Sequence, residues 1–149
     1  MKRMLTGAAV LLGLTLLAAT ATQKFHPRAP AWYLVSAPLR DDEVSLERIR
    51  SEWHDDVLWV DARPRDQFDK AHIPGAILLN EYERDALLIE SMTTLQDNRK
   101  TIVVYCDGAA CQASRKMREF LTQNLALDNV WVLRGGWKSW QEAQPSAGK

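Results

Sequence analysis

Residues 101–111 read TIVVYCDGAAC, a β-branched apolar run that ends at Cys106 and continues into a loop of small residues. This pattern predicts a buried strand followed by a turn. A helix is predicted directly afterwards, because apolar residues recur from Ala113 to Leu121 at three- and four-residue spacing. Cys106 is therefore expected at the point where a buried strand ends.

A loop in this position favours the thiolate form of a cysteine. The first N–H groups of the next helix have no partner within the helix, and the helix dipole places partial positive charge there. Such a thiolate can have its pKa lowered from about 8.5 into the range of about 3.5 to 7.5, which makes it a nucleophile at neutral pH. Cys106 is thus a candidate nucleophile. The alternative is a small hydrophobic residue that ends a core strand.

The length and charge of the chain restrict the classes of function. Its 149 residues suffice for one domain with a single core. The whole chain has 19 basic and 19 acidic residues, and 16 basic residues remain against 19 acidic ones when residues 1–24 are left out. Because neither balance gives a strong positive field, a nucleic-acid partner is not expected.

The N-terminus has the pattern of an export segment. Lys2 and Arg3 precede the uncharged residues 4–23, as a charged region precedes the apolar region of a signal peptide. Ala19-Thr20-Ala21 fits a cleavage site. The alternative is an uncleaved membrane anchor, since twenty helical residues reach about 30 Å. In both cases we expect an exported protein, either periplasmic or anchored in the membrane and facing the periplasm.

The rest of the chain is predicted to form one domain. A linker and a first strand, Trp32–Val35, are expected within residues 25–40, the domain itself over residues 41–143, and a tail over residues 144–149. Within the domain, strand patterns alternate with helical ones. The alternation predicts an α/β fold with a small parallel sheet flanked by helices.

Local patterns in the first half of the domain indicate where its elements begin. Asp41–Glu43 is expected to be a solvated acidic turn, and Ser45 to cap a helix. Val57–Val60 is a continuous apolar run, typical of a strand covered on both faces. A further helix is predicted from about Glu83 to Met92.

Three separated motifs resemble the signatures of rhodanese-like sulfurtransferase domains. They are Asp61-x-Arg63 followed by HIPGA at residues 72–76, VYC at residues 104–106 followed by Ser114, and Gly135-Gly136-Trp137 followed by Trp140. The resemblance covers roughly residues 41–143 and implies a three-layer α/β domain. It also implies that Asp61, Arg63, His72, Gly75, Gly135 and Gly136 are structural signature residues.

The resemblance implies sulfur transfer through a persulfide on Cys106. The donor would be thiosulfate or a persulfide, the acceptor a thiol, cyanide or a thiol protein, and neither a metal nor an organic cofactor is needed. The substrate-binding loop would be Asp107, Gly108, Ala109, Ala110 and Cys111, with inward-pointing amides that stabilise the thiolate and the persulfide. The alternative is a non-catalytic rhodanese-like module that binds a partner or senses redox state through Cys106 and Cys111.

The loop departs from the family pattern in ways that bear on the substrate. Cys111 stands where many members carry an arginine that holds an anionic donor, and Asp107 places negative charge beside the nucleophile, which disfavours dianionic donors. A phosphatase or arsenate reductase of the same fold would need the pattern C-x5-R. That arginine position holds Gln112, which argues against such an activity.

Other residues in the motifs have two or more interpretations. Cys111 is either a resolving thiol for Cys106, half of a static disulfide, or a buried free thiol. Asp61 and Arg63 form a buried ion pair or contact the substrate. His72 forms a hydrogen bond within its own turn or transfers a proton.

Overall fold

The computed structural model describes residues 38–108 and 112–144. In this part of the chain five strands alternate with five helices. The strands are β1 (Glu43–Val44), β2 (Val57–Asp61), β3 (Ile77–Leu78), β4 (Thr101–Tyr105) and β5 (Val130–Leu133). The helices are α1 (Leu46–Trp53), α2 (Arg65–Lys70), α3 (Arg84–Asp97), α4 (Ala113–Asn124) and α5 (Gly136–Glu142).

All five strands run parallel in one sheet, in the order β1-β5-β4-β2-β3. In the centre of the sheet Val104 pairs with Val60 on one side and with Val132 on the other. The predicted α/β fold with a parallel sheet flanked by helices is confirmed. Because every strand has the same direction, the loops after β2, β3, β4 and β5 meet at one edge of the sheet.

Apolar side chains cover both faces of β4, which explains its uninterrupted hydrophobic sequence. Ile102 and Val104 point into one cluster with Leu121 of α4, and Val103 and Tyr105 point into the other with Ile49 of α1. Complete burial of an aliphatic side chain of this size stabilises the fold by about 1.5–3 kcal/mol. The strand before Cys106 is therefore held from both sides of the sheet.

Two local predictions differ from the structure. Glu43 was expected in a solvated turn but begins β1, because its carboxylate pairs with Arg115 at 3.2 Å and its neighbour Val44 is buried beside β5. Helix α3 extends to Asp97 instead of ending near Met92, since Leu95 is 2% exposed and packs into the core. In both places tertiary packing outweighs the local pattern.

The predicted cap of α1 is confirmed, since the Ser45 hydroxyl accepts a hydrogen bond from the Arg48 amide at 3.2 Å. The expected export segment at residues 1–24, the strand at Trp32–Val35 and residues 145–149 of the tail lie outside the described residues. Within residues 38–108 and 112–144, no helix has the length and apolar character needed to cross a membrane.

Candidate active site

Cys106 directly follows β4 at the edge of the sheet where the strands end. Its neighbours there are the ends of β2 and β5, and the Ala62 amide continues the pairing by donating to the Tyr105 carbonyl at 2.8 Å. Cys106 is 2% exposed. The position predicted from the sequence, at the end of a buried strand, is where the structure places it.

The sulfur of Cys106 lies against the first turn of α4. The Ser114 hydroxyl oxygen is 3.2 Å from Sγ, and Ser114 is itself buried. Cys106 is disulfide-bonded in this structure, so its sulfur carries no proton and the Ser114 hydroxyl is the donor. After reduction, the same hydroxyl is placed to donate to a thiolate or a persulfide.

The only other cysteine of the chain is Cys111, which lies outside the described residues together with Ala109 and Ala110. The three interpretations of Cys111 therefore stay predictions. The inward orientation of the amides of residues 107–111 stays a prediction as well.

The start of α5 holds the backbone of the nucleophile. The Trp137 amide donates to the Cys106 carbonyl at 2.6 Å, and the Lys138 amide donates to the Asp107 carbonyl at 3.2 Å. These are amides without a partner within the helix. They fix the chain at Cys106 by binding its carbonyl groups instead of its sulfur.

Gly135 and Gly136 make this approach of α5 feasible. Both have positive φ angles, +74° and +54°, which favour glycine. A Cβ atom on Gly136 would collide with the Cys106 carbonyl group. The glycines of the closing motif thus allow α5 to start in contact with the loop of the nucleophile.

Asp61 and Arg63 form a buried ion pair beneath this loop. Arg63 Nη2 lies 2.6 Å from Asp61 Oδ2, and the two side chains are 3% and 0% exposed. Arg63 also donates to the Ala71 carbonyl at 2.8 Å and stacks over the Trp137 ring at 4.5 Å. Although burial alone would lower it, the pKa of Arg63 is raised by the hydrogen bond and the charge of Asp61.

The Arg63 pair connects two motifs that are far apart in sequence. On one side Arg63 donates a hydrogen bond to the backbone just before His72, and on the other its guanidinium group packs on the ring of Trp137. Its observed contacts are therefore those of a structural ion pair.

Asp107 is exposed beside Cys106 and pairs with Gln67 of α2. One end of the Gln67 amide lies 2.8 Å from one carboxylate oxygen and 3.2 Å from the other. We assign this end as the NH2 group, because an amide oxygen there would face only acceptors. An amide is a neutral donor, so this contact orients the carboxylate without neutralising it.

His72 is exposed and stabilises its own turn. Its Nδ1 lies 2.9 Å from the Phe68 carbonyl, and its ring stacks on Phe68 with centroids 3.9 Å apart. A carbonyl can only accept, so Nδ1 carries the proton. Gly75 has a φ of +78° and open space around it, as a glycine in a turn requires.

Tyr105, the last residue of β4, connects the same turn to the sheet through a hydrogen bond of its phenol group. The Ile73 amide donates to its phenol oxygen at 3.1 Å in a fully buried environment. Burial raises the pKa of Tyr105. The phenol therefore stays neutral over the physiological range and acts as a structural group.

Two cations near the start of α4 are paired with carboxylates. Arg115 pairs with Glu43 at 3.2 Å, and Lys116 pairs with Glu81 at 3.1 Å. In the described ranges, no three His, Cys, Asp or Glu side chains come together to form a metal site.

Three site residues were missed as functional groups from sequence. Sequence reasoning identifies Ser114 and Trp137 only as parts of motifs and does not single out Gln67. The contact of Ser114 with Cys106 has a sequence signal, because a residue in the first turn of the following helix faces the end of the strand. Gln67 has no such signal, since α2 meets the loop only through the tertiary fold.

Comparison with protein families gives one match over the domain. A model of the rhodanese-like domain matches residues 45–143. No protein of curated function matches the chain significantly.

Solved structures with this fold agree with the family match. The chain is 27% identical to a protein of Bacillus halodurans, covering 67% of this chain and 71% of that one with a TM-score of 0.52. It is 25% identical to a rhodanese-related protein of Thermoplasma volcanium, covering 69% and 94% with a TM-score of 0.53. The 3-mercaptopyruvate sulfurtransferase of Leishmania major shares the fold at 17% identity, covering 75% and 40% with a TM-score of 0.50.

Proposed function

The chain belongs to the rhodanese-like domain family, and we propose that it is a sulfurtransferase that carries a sulfane sulfur as a persulfide on Cys106. Some members of the family are sulfurtransferases and many are not catalytic, so the proposal depends on the site of this chain. Its donor would be thiosulfate or a persulfide, and its acceptor a thiol or cyanide.

The surroundings of the Cys106 sulfur are the observation that carries the proposal. Cys106 follows a strand that is packed on both faces, and its backbone carbonyl accepts a hydrogen bond from the Trp137 amide at 2.6 Å. The Ser114 hydroxyl oxygen lies 3.2 Å from the Cys106 sulfur. A hydroxyl donor at that distance stabilises negative charge on sulfur. Such charge is present on the thiolate and on the persulfide, the two resting forms of a sulfur carrier.

The transfer proceeds in two displacements without net oxidation. In the first, the Cys106 thiolate attacks the outer sulfur of the donor, the S–S bond of the donor breaks, and the thiolate or sulfite leaves with its electron pair. In the second, an acceptor thiolate or cyanide attacks the terminal sulfur of the persulfide and regenerates the Cys106 thiolate. Because the structure holds Cys106 in a disulfide, a reductant must first release the thiolate.

Mass spectrometry of the reduced protein tests the proposal. After exposure to sulfane-sulfur donors, we expect a mass gain of one sulfur atom on the peptide that contains Cys106. Cys106→Ser should lose the adduct and the transfer activity while keeping the fold, because the substitution is nearly isosteric. Most of the activity surviving in Cys106→Ser would exclude Cys106 as the carrier.

The disulfide on Cys106 favours a second candidate function, a redox-sensing module. In that case the reduced and oxidised loops would present different surfaces to a partner, and no persulfide would form. A reduced protein that reacts with small alkylating agents at Cys106 but never gains a sulfur atom would support the module over the enzyme.

A further inference from the structure

We propose that Asp107 filters sulfur donors by charge, so that Cys106 accepts sulfur from organic persulfides with at most one negative charge in preference to the dianion thiosulfate. The inference rests on the sulfurtransferase function proposed above and specifies its substrate class. It is carried by the position of Asp107, by its contact with Gln67 and by the pairing of the cations around it.

Asp107 has a fixed position next to the nucleophile. Its backbone carbonyl accepts from the Lys138 amide at 3.2 Å, and the preceding carbonyl of Cys106 accepts from the Trp137 amide at 2.6 Å. Its side chain is exposed, whereas the adjacent Cys106 is 2% exposed. A donor that reaches Cys106 from solvent therefore enters the field of a surface carboxylate on the next residue of the chain.

The hydrogen-bond partner of the Asp107 carboxylate is the neutral amide of Gln67, at 2.8 and 3.2 Å. The charge of Asp107 also helps to raise the pKa of the nearby Arg63 guanidinium. By contrast, the carboxylate of Asp61 is neutralised by Arg63 at 2.6 Å. Gln67 thus acts as a positioning residue that holds Asp107 in one orientation.

Cations on the surrounding elements are committed to other carboxylates. They include Arg63 with Asp61 at 2.6 Å, Arg115 with Glu43 at 3.2 Å, Lys116 with Glu81 at 3.1 Å and Lys138 with Glu142 at 3.8 Å. Recruiting Arg63 to a donor would leave Asp61 buried without its cation. The pairs of Lys116 and Lys138 are exposed and would cost little to break. The anion-holding arginine expected five residues after the nucleophile is Cys111 in this chain.

Coulomb's law gives the size of the expected selection. Two unit charges about 6 Å apart in water repel by an amount that corresponds to roughly a threefold change in rate. The penalty doubles in free energy for a dianion, which corresponds to roughly tenfold. Because the carboxylate is exposed, both factors should shrink as the salt concentration rises.

Alkylation rates measure the filter without any sulfur transfer. The reduced Cys111→Ala protein has Cys106 as its only thiol. The ratio to measure is the alkylation rate of Cys106 with the anion iodoacetate divided by its alkylation rate with neutral iodoacetamide. Changes in thiol reactivity cancel in this ratio. We expect Asp107→Asn to raise the ratio about threefold at low salt.

Two further variants separate local charge from other causes. Gln67→Lys gives Asp107 a cationic partner and should raise the ratio in the same direction while Asp107 stays in place. Asp66→Asn removes an equal charge from the neighbouring position of α2, where Asp66 pairs with Lys70 and is 68% exposed. This control should leave the ratio nearly unchanged.

Donor kinetics then connect the filter to the substrate. Asp107→Asn should raise kcat/KM roughly tenfold for thiosulfate but only roughly threefold for the monoanion of 2-hydroxyethyl hydropersulfide. An alkylation ratio equal in wild type and Asp107→Asn, or raised as much by Asp66→Asn, would overturn the filter. Absence of sulfur transfer from every donor, with the alkylation ratio changed as expected, would instead reject the enzymatic function and retain the charge effect.

Discussion

The amide of Trp137 donates to the carbonyl of Cys106 across 2.6 Å, and this bond joins the closing motif of the domain to its nucleophile. The bond forms because Gly136, the residue before Trp137, approaches the loop without a side chain. The glycine therefore determines how closely α5 and Cys106 can pack.

Gly136→Ala should lower the free energy of unfolding by about 2–4 kcal/mol. The alanine would have to keep the positive φ of this position, and its methyl group would collide with the Cys106 carbonyl. Urea denaturation measures this loss. Gly75→Ala is the matched control, since Gly75 has a φ of +78° but nothing within 4 Å. It should cost only about 1–2 kcal/mol. Equal losses in both variants would mean that backbone strain alone explains Gly136.

Arg63→Gln should destabilise the fold by about 3–5 kcal/mol, because it leaves Asp61 as a buried carboxylate without its cation. The control is Arg65→Gln, which breaks a pair with Glu83 whose side chains are 47% and 41% exposed. That change should cost no more than about 1 kcal/mol. The double variant Asp61→Asn/Arg63→Gln should recover part of the loss, and failure to do so would assign the effect to lost packing of the arginine instead.

Much of the fold could be predicted because the signals are local. The continuous apolar run before Cys106 indicates a strand covered on both faces, and Ser45 marks the start of α1. The amide donors of α5 and the Gln67 contact could not be predicted in this way. They depend on where α5 and α2 come to lie at the edge of the sheet, which is set by long-range packing.

The Asp61–Arg63 pair shows where sequence reasoning succeeds at a site. Opposite charges two residues apart at the end of an apolar strand have few ways to be buried except together. For Arg115 and Lys116 the sequence offered no such constraint. Their partners, Glu43 and Glu81, lie far away along the chain and are brought close only by the sheet order.

Tyr105 should make the stability of the protein sensitive to alkali. Burial raises the pKa of its phenol above the ordinary value of 10.0. The resulting stabilisation is complete below about pH 10 and is lost as the pH rises from there toward the raised pKa of the folded state. Urea midpoints from about pH 9 to about pH 11 should fall more steeply for wild type than for Tyr105→Phe. Parallel curves for the two proteins would show that Tyr105 does not titrate differently in the folded state.

We propose that Cys111 is the redox partner of Cys106, and sulfur transfer should then require a reductant. The Cys111 thiolate would attack Sγ of the Cys106 persulfide, form the disulfide and release the outer sulfur as hydrosulfide. An external dithiol would reopen the disulfide.

A titration in glutathione redox buffers tests this coupling while transfer is assayed. Activity of the wild type should rise with the reduced fraction, and Cys111→Ala should lose that dependence. Identical responses of the two proteins would leave Cys111 without a redox role.

We further propose that residues 25–149 lie across the cytoplasmic membrane, because Lys2 and Arg3 precede the uncharged residues 4–23. A reporter active only in the cytoplasm, fused after Lys149, should stay dark. Deletion of residues 1–24 from the same fusion should restore its signal. A bright full-length fusion would place the domain in the cytoplasm.

The sheet order also determines when the domain can be completed during synthesis. β5 lies between β1 and β4 although it is the last of the five described strands to be made. A nascent chain therefore exposes the unpaired edges of β1 and β4 until Leu133 has emerged from the ribosome or the translocon. Trp137 and Lys138 emerge later still. The hydrogen bonds from their amides to the carbonyls of Cys106 and Asp107 can therefore form only when nearly the whole domain has been released.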